Sequence, residues 1–232
     1  VFFCCLPTNL EAKPIDNVKK SWFFKSKKKI TEPEVKVKSE FEKIVSDSSN
    51  IDKGLFSVVK KGDDYYFEIP ASTIGRDLLV VNKLQRVPKE LNEAGVNRGV
   101  NYENQMIRLE WDKKGSKLSI RQQRPLPLSS TEDAIYKSVE NNFISPLIAT
   151  LKVEAVKDDS TSVLVKVNEL FDGTETSINN VFTNINLGTS SIKKLSKIDK
   201  IKSFDNNVVA YSELTTRVTE GTTTVYVTVE TS

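Results

Sequence analysis

Ile107-Arg108-Leu109-Glu110-Trp111-Asp112-Lys113-Lys114-Gly115-Ser116-Lys117-Leu118-Ser119-Ile120-Arg121 alternates apolar and polar residues on both sides of a glycine-bearing centre. Successive side chains of a strand point to opposite faces, so Ile107, Leu109, Trp111, Leu118 and Ile120 share one face while Arg108, Glu110 and Arg121 point to water. Asp112 to Ser116 supplies the turn. A period of two sustained across a turn specifies an antiparallel hairpin with one covered face.

The pattern repeats outward from this hairpin. On the N-terminal side, residues 55–60 pair with 65–69 across Lys61-Gly62-Asp63-Asp64, with Tyr65, Phe67 and Ile69 on one face, Tyr66 and Glu68 on the other, and Pro70 as the stop. Residues 77–81 (Asp77-Leu78-Leu79-Val80-Val81) are almost wholly apolar, which predicts a central strand buried on both faces. On the C-terminal side, residues 147–156 pair with 162–170 across 157–161, and 208–218 pair with 223–229 across Glu220-Gly221. Three stretches read as short helices. Residues 39–46 place Phe41, Ile44 and Val45 on one helical face, with Ser39 as N-cap and Glu40 and Glu42 in the first turn. Ser130-Thr131-Glu132-Asp133 resembles a capping box ahead of Ile135, Tyr136 and Val139, and residues 192–201 carry Ile192, Leu195, Ile198 and Ile201 at intervals of three. The expected fold is mainly β: antiparallel hairpins forming a sandwich or a strongly twisted sheet, with one to three short helices as a minor α component.

Composition narrows the chemistry. The 232 residues are 38% hydrophobic and 28% charged, and none is histidine. A Ser-His-Asp or Cys-His system, an HExxH zinc helix and a histidine metal cage are therefore excluded within this chain. The two cysteines, Cys4 and Cys5, are adjacent and cannot clip a distant loop. The formal charge is +3, and residues 1–47 account for it with ten lysines against seven acids, leaving 24 basic and 24 acidic residues beyond.

Residues 19–29 hold six lysines and no acid, interleaved with Trp22, Phe23 and Phe24. This stretch reads as a solvated linker, as a segment that adheres to a surface or membrane, or as a nucleic-acid contact. It lacks arginine, whose guanidinium fork serves specific readout, so no nucleic-acid partner is expected. The apolar opening Val1-Phe2-Phe3-Cys4-Cys5-Leu6-Pro7 reads as the tail of a signal peptide cleaved after Ala12, as a lipid anchor at Cys4 or Cys5, or as an ordinary N-terminal strand. No apolar run reaches the roughly 18 to 20 residues that span a bilayer. Val1 stands where a start methionine would be, and a strand-like segment runs to Ser232. These ends lead to the expectation of a piece of a longer reading frame: a signal remnant over 1–12, a basic linker with a short helix over 13–47, and a β domain over 48–232 truncated at its C-terminal end.

Several clusters invite a chemical reading. Asp63-Asp64 and Asp158-Asp159-Ser160 offer oxygen ligands for calcium but lack alternating EF-hand spacing, and both fall where hairpin turns favour acids. Gly95 and Gly99, with Asn92, Asn97 and Asn101, are too loosely spaced for a phosphate loop, although residues 90–102 are long enough to face a partner. Trp111, Tyr65, Tyr66 and Phe67 line a ligand groove or pack a core, and their period of two favours the core. No Ser-Lys pair stands out as a dyad, and no catalytic, cofactor-binding or metal residue is assigned.

The segments Gly54-Leu55-Phe56-Ser57-Val58-Val59, Asp64-Tyr65-Tyr66-Phe67-Glu68-Ile69-Pro70 and Gly75-Arg76-Asp77-Leu78-Leu79-Val80-Val81 resemble a known family. It is the N-terminal non-catalytic region, made of domains of unknown function, of large zinc-dependent metalloproteases of the metzincin-like type from Gram-negative bacteria. Ala94-Gly95, Ser145-Pro146-Leu147-Ile148, Leu151-Lys152-Val153, Val167-Asn168-Glu169-Leu170-Phe171 and Asn206-Asn207-Val208 extend the likeness over residues 51–232. The resemblance implies a secreted, periplasmic or outer-membrane-associated parent whose HExxHxxGxxH zinc site lies further along the polypeptide. For this chain it implies no cofactor and no enzyme activity of its own, with Asn168 given no role. The implied function is an accessory or scaffold domain whose partner is the downstream peptidase domain. The alternative is an independent binding or adhesion module that contacts the cell envelope.

Overall fold

Eleven strands pair antiparallel into one sheet in a computed structural model that describes residues 39–46, 50–123, 133, 136, 138, 144–187, 190–217 and 224–232. Three meanders supply them. The first is β1 (Asn50–Asp52), β2 (Ser57–Lys61) and β3 (Asp64–Pro70); the second is β4 (Asp77–Arg86), β5 (Asn101–Asp112), β6 (Lys117–Gln123), β7 (Leu147–Val156) and β8 (Ser162–Lys166). The third is β9 (Lys197–Ser203), β10 (Val208–Arg217) and β11 (Thr224–Thr231). The middle meander is inserted in reverse, β3 pairing with β8 and β4 with β11, which gives the order β1-β2-β3-β8-β7-β6-β5-β4-β11-β10-β9. Of the two forms expected, the sheet is the strongly twisted one. Its edges come back together: Leu55 N–H donates to Phe204 O at 2.8 Å, and Ser203 N–H donates to Asp52 Oδ2 at 3.0 Å. The sheet thus curls into a nearly closed barrel.

The hairpins form where alternation places them. Leu118 faces Trp111 and Ile120 faces Leu109, all on the inner face, with Trp111 only partly covered. Arg108, Glu110 and Arg121 face outward, with Arg121 bound to Glu110 at 2.7 Å. In the first hairpin Lys61 pairs with Asp64, so Gly62-Asp63 is a two-residue turn, and Gly62 takes φ 61, a left-handed value suited to glycine. Tyr65, Phe67 and Ile69 are buried as the period requires.

Tertiary context overrides three local expectations. The apolar run of β4 is covered on one face only: Leu78 and Val80 turn inward while Leu79 is 64% exposed. A curled sheet covers its concave face, and no described element lies over Leu79. Residues 192–201 are not a helix; a 3-10 turn (Lys193–Leu195) leads into β9, whose backbone pairs with β10 and buries Ile201 and Ser203. Spacing by threes over four residues is too short a signal to outweigh a ladder. The strand expected over 162–170 ends at Lys166, because Asn168 begins a one-turn helix.

Four short helices complete the described structure: α1 (Glu40–Ser46), α2 (Lys89–Glu93), α3 (Asn168–Phe171) and α4 (Val181–Asn184). In α1, Glu42 N–H donates to Ser39 Oγ and Ser39 N–H donates to Glu42 Oε2, both at 3.2 Å, a reciprocal capping box. Its Phe41, Ile44 and Val45 pack on Val59, Ala155 and Leu164 at the outside of the sheet. Of the expected long loop of residues 90–102, the start belongs to α2 and residues 101 and 102 to β5. The capping box at 130–133 and its helix fall almost wholly outside the described residues, as do the segments 1–12 and 19–29.

Candidate functional site

Inward-facing residues divide the barrel interior into layers, and β4 carries one of each. Leu78 and Val80 join a large apolar cluster with Phe67, Ile107 and Leu170, whereas Leu84 joins a second with Phe182, Leu214 and Val227. Between them sits Asn82, fully buried. On β5, Gln105 and Glu103 interrupt the inward series of Ile107 and Leu109 in the same way, and on β11 Thr231 follows Val227 and Val229. A polar belt therefore crosses an otherwise apolar core.

The belt holds the end of the connection between α3 and α4, where Ile178 and Asn179 are buried. A buried loop must have its backbone groups paired, and side chains of the sheet do this. Gln105 Nε2 donates to Ser177 O at 2.9 Å and Asn82 Nδ2 to Ile178 O at 2.8 Å, while Asn180 N–H donates to Glu103 Oε2 at 3.2 Å. Thr231 Oγ1 donates to Asn82 Oδ1 at 2.6 Å, and Tyr102 Oη to Asn179 Oδ1 at 2.7 Å. Glu103 also accepts from Gln105 Nε2 at 2.7 Å. Burial pushes its carboxyl above the usual range, and the donors from Asn180 and Gln105 offset part of that rise. Burial likewise drives the Tyr102 phenol upward, against the bond to Asn179.

Next to the belt, the barrel wall opens into a cavity of about 360 Å³. Phe67, Ile107, Leu170 and Phe171 form its floor, with Leu78 and Val80 on one side and Val208 on the other. A volume near the lower end of the roughly 300–1,000 Å³ of ligand pockets suits an apolar occupant. Asp77 at the rim is bound to Arg108 at 2.7 Å, so its charge is already matched. No nucleophile paired with a base lines this opening. On the outer face beside it, Leu79 and Met106 sit opposite each other on β4 and β5, 64% and 42% exposed.

The acidic clusters singled out from sequence are turns. Asp159 Oδ1 accepts from Thr161 N–H at 3.0 Å and Thr161 Oγ1 at 2.6 Å, and these bonds hold its carboxyl below the ordinary range. Asp64 binds Lys166 at 2.7 Å. Among the described residues, no group of three or more His, Cys, Asp or Glu could hold a metal ion. Asn92 Nδ2 donates to Asn97 Oδ1 at 3.0 Å and Asn97 Nδ2 to Gly95 O at 3.2 Å, closing the turn after α2 on itself. Tyr65 and Phe67 are core, Tyr66 packs under α1, and Trp111 packs against the large cluster with Lys113 Nζ 5.0 Å from its ring centroid. The belt was not singled out from sequence. Its legible sign is a polar residue at an inward register, as at Asn82 and Gln105.

Residues 99–232, more than half of the chain, match the family described as Domain of unknown function (DUF5117), and residues 38–87 match Domain of unknown function (DUF5118). The chain belongs to the DUF5117 family. No curated protein and no solved structure matches it. The DUF5118 match covers α1 and β1 to β4, and the DUF5117 match covers β5 to β11, yet β3 pairs with β8 and β4 with both β5 and β11. The two matched segments build one sheet around shared clusters within the compact unit Lys38–Ser232.

Proposed function

We propose that this chain is a non-catalytic accessory domain of a larger secreted or envelope zinc-dependent metallopeptidase, working as a scaffold for the domain that follows. The observation that carries the reading is the apolar opening between β4 and β10 beside the exposed pair Leu79 and Met106. An apolar cavity bordered by uncovered apolar side chains gains free energy by being covered, and its one carboxylate is already bound to Arg108. The chain has no histidine, so on this reading zinc ligation and general-base work fall to residues elsewhere in the parent, as the resemblance of residues 51–232 implies. The partner is then the peptidase domain of the same polypeptide, and the location the periplasm, the outer membrane or the exterior.

The test compares the parent with and without residues 38–232. Loss of peptidase activity or aggregation on deletion is the expected result, with the fragment itself binding no envelope component. Full activity after deletion, or a parent with no HExxH helix, would reject the proposal. A second reading, an envelope-binding module, draws on the six lysines and three aromatics of residues 19–29. Tight binding of the full chain of residues 1–232 to glycan or anionic lipid vesicles, lost when residues 19–29 are removed, would favour it.

A further inference from the structure

A β-bulge near the end of β4 turns two consecutive side chains to the outside of the sheet. Along the ladder with β11, Arg86 pairs with Thr228 and Leu84 with Val229, so Gln85 is the extra residue. Strict alternation from the buried Leu84 would send Arg86 inward; the bulge instead leaves it exposed beside Gln85. The chain then passes through α2 and returns to the same place. Gly99 N–H donates to Leu84 O at 2.7 Å and Leu84 N–H to Val100 O at 3.1 Å, with Gly99 at φ 83. Arg98, the next residue back, is thereby held beside the end of β4. The two arginines line one cleft of about 610 Å³ on the outer face, together with Glu213 of β10 and Tyr226 of β11.

The charge in this cleft is unmatched. Elsewhere on the outer face Arg108 is bound to Asp77 and Arg121 to Glu110, both at 2.7 Å. Among the described residues no carboxylate pairs with Arg86 or Arg98. Beyond residue 47 basic and acidic residues cancel, so two free guanidinium groups in one cleft are a local excess. Tyr226 adds an aromatic ring that is 53% exposed. A second hollow of about 370 Å³ shares Gln85, Arg86, Glu213 and Thr228 with the first and adds Lys200, whose Nζ stands 4.8 Å from the centre of the Tyr211 ring. Together they form a groove over β4, β11, β10 and β9, three strand spacings or about 14 Å long.

We propose that this groove binds an acidic glycan: Arg86 and Arg98 take the carboxylate of a uronic-acid unit, Tyr226 backs a sugar ring, and Glu213 accepts from a sugar hydroxyl. The planar guanidinium fork matches a carboxylate. Glu213 selects against a polyphosphate, which would bring it negative charge and no hydrogen-bond donor. An acidic peptide fits less well. The groove lies on the face of strands β4, β11 and β10, whose edges are paired on both sides, so it offers a peptide no strand pairing. What it does offer is side-chain amide and hydroxyl groups, from Gln85, Asn92 and Thr228, which suit a ring of hydroxyls. If the chain serves a peptidase, such a glycan is carried by the protein to be cleaved; the binding itself does not depend on that reading.

The test is calorimetric titration of the full chain with oligogalacturonate and with its methyl ester. Arg86→Gln and Arg98→Gln are each expected to weaken binding of the acid about tenfold or more. Arg86→Lys, which keeps the charge and loses the fork, weakens it as well. Lys114→Gln, an equal change of charge on the exposed β5–β6 turn, leaves binding as it was, as does removal of residues 19–29, whereas esterification of the ligand abolishes it. Both arginines are exposed, so an unchanged Tm reports that the variants remain folded. No binding of the acid, equal binding of the ester, or equal weakening by Lys114→Gln would overturn the proposal. Loss of binding with residues 19–29 would assign it to that lysine-rich stretch. Tighter binding of oligoglutamate, lost in Arg86→Gln, would assign the groove to an acidic peptide and overturn it too.

Discussion

Asn82 shows how much one side chain holds in this core. It is fully buried, donates to Ile178 O and accepts from Thr231 Oγ1, so truncation removes the donor to a buried carbonyl and leaves the Thr231 hydroxyl, which still accepts from Asn179 Nδ2 at 3.3 Å, without its acceptor. Asn82→Ala is expected to lower unfolding free energy by about 2–4 kcal/mol, read from urea denaturation. Glu103 gives a pH signature. Its folded pKa lies above the unfolded value, so its favourable contribution is complete below the unfolded carboxylate range and declines as pH rises through the folded pKa. The urea midpoint of the wild type should therefore fall, relative to Glu103→Gln, as pH rises from about 4 to about 8. Parallel profiles for the two proteins would rule out the burial of Glu103 as the source. Asn168 acts as a staple as well as a helix start: its Oδ1 accepts from Tyr65 N–H at 2.8 Å and its Nδ2 donates to Asp63 O at 2.9 Å, fixing the β2–β3 turn.

Among the elements, the seam between the first and third meanders depends on Gly54. A Cβ there would overlap the carbonyl of Phe204, next to the bond from Leu55 N–H that joins the sheet edges. Gly54→Ala is expected to cost about 1–3 kcal/mol by forcing the edges apart, with faster amide exchange at Leu55 as the local marker. Unchanged exchange at Leu55 would count against this seam. Helix α1 depends on its cap. Ser39→Ala removes the acceptor for Glu42 N–H and should cost about 1 kcal/mol, visible as fraying of residues 40–43 in amide exchange. The cap and the Phe41 face are legible in sequence because both are local. The strand at residues 197–203 is not, because its two apolar residues, Ile198 and Ile201, stand three apart and reach the same core only through the register shift in the ladder with β10.

For the whole molecule, the pairing of β3 with β8 and of β4 with β11 makes the two family segments one folding unit. Cutting the chain within residues 88–98 should give fragments that are unstructured alone and recover β-sheet circular dichroism when mixed. Independent folding of residues 99–232 would contradict this, because β5 would then expose the edge that β4 covers.

The sequence by itself determined the hairpins, their inward and outward faces, the turn acids and the first helix, since each rests on neighbours within about a dozen residues. It also excluded histidine chemistry by composition alone. Only the tertiary structure decided that the middle meander enters in reverse and that the sheet curls until Leu55 meets Phe204. It also decided that Asn82, Gln105 and Glu103 meet the backbone of Ser177, Ile178 and Asn180. These features depend on contacts between residues as far apart as Asn82 and Thr231, and the free energy of such contacts is set by which surfaces the closed sheet buries together.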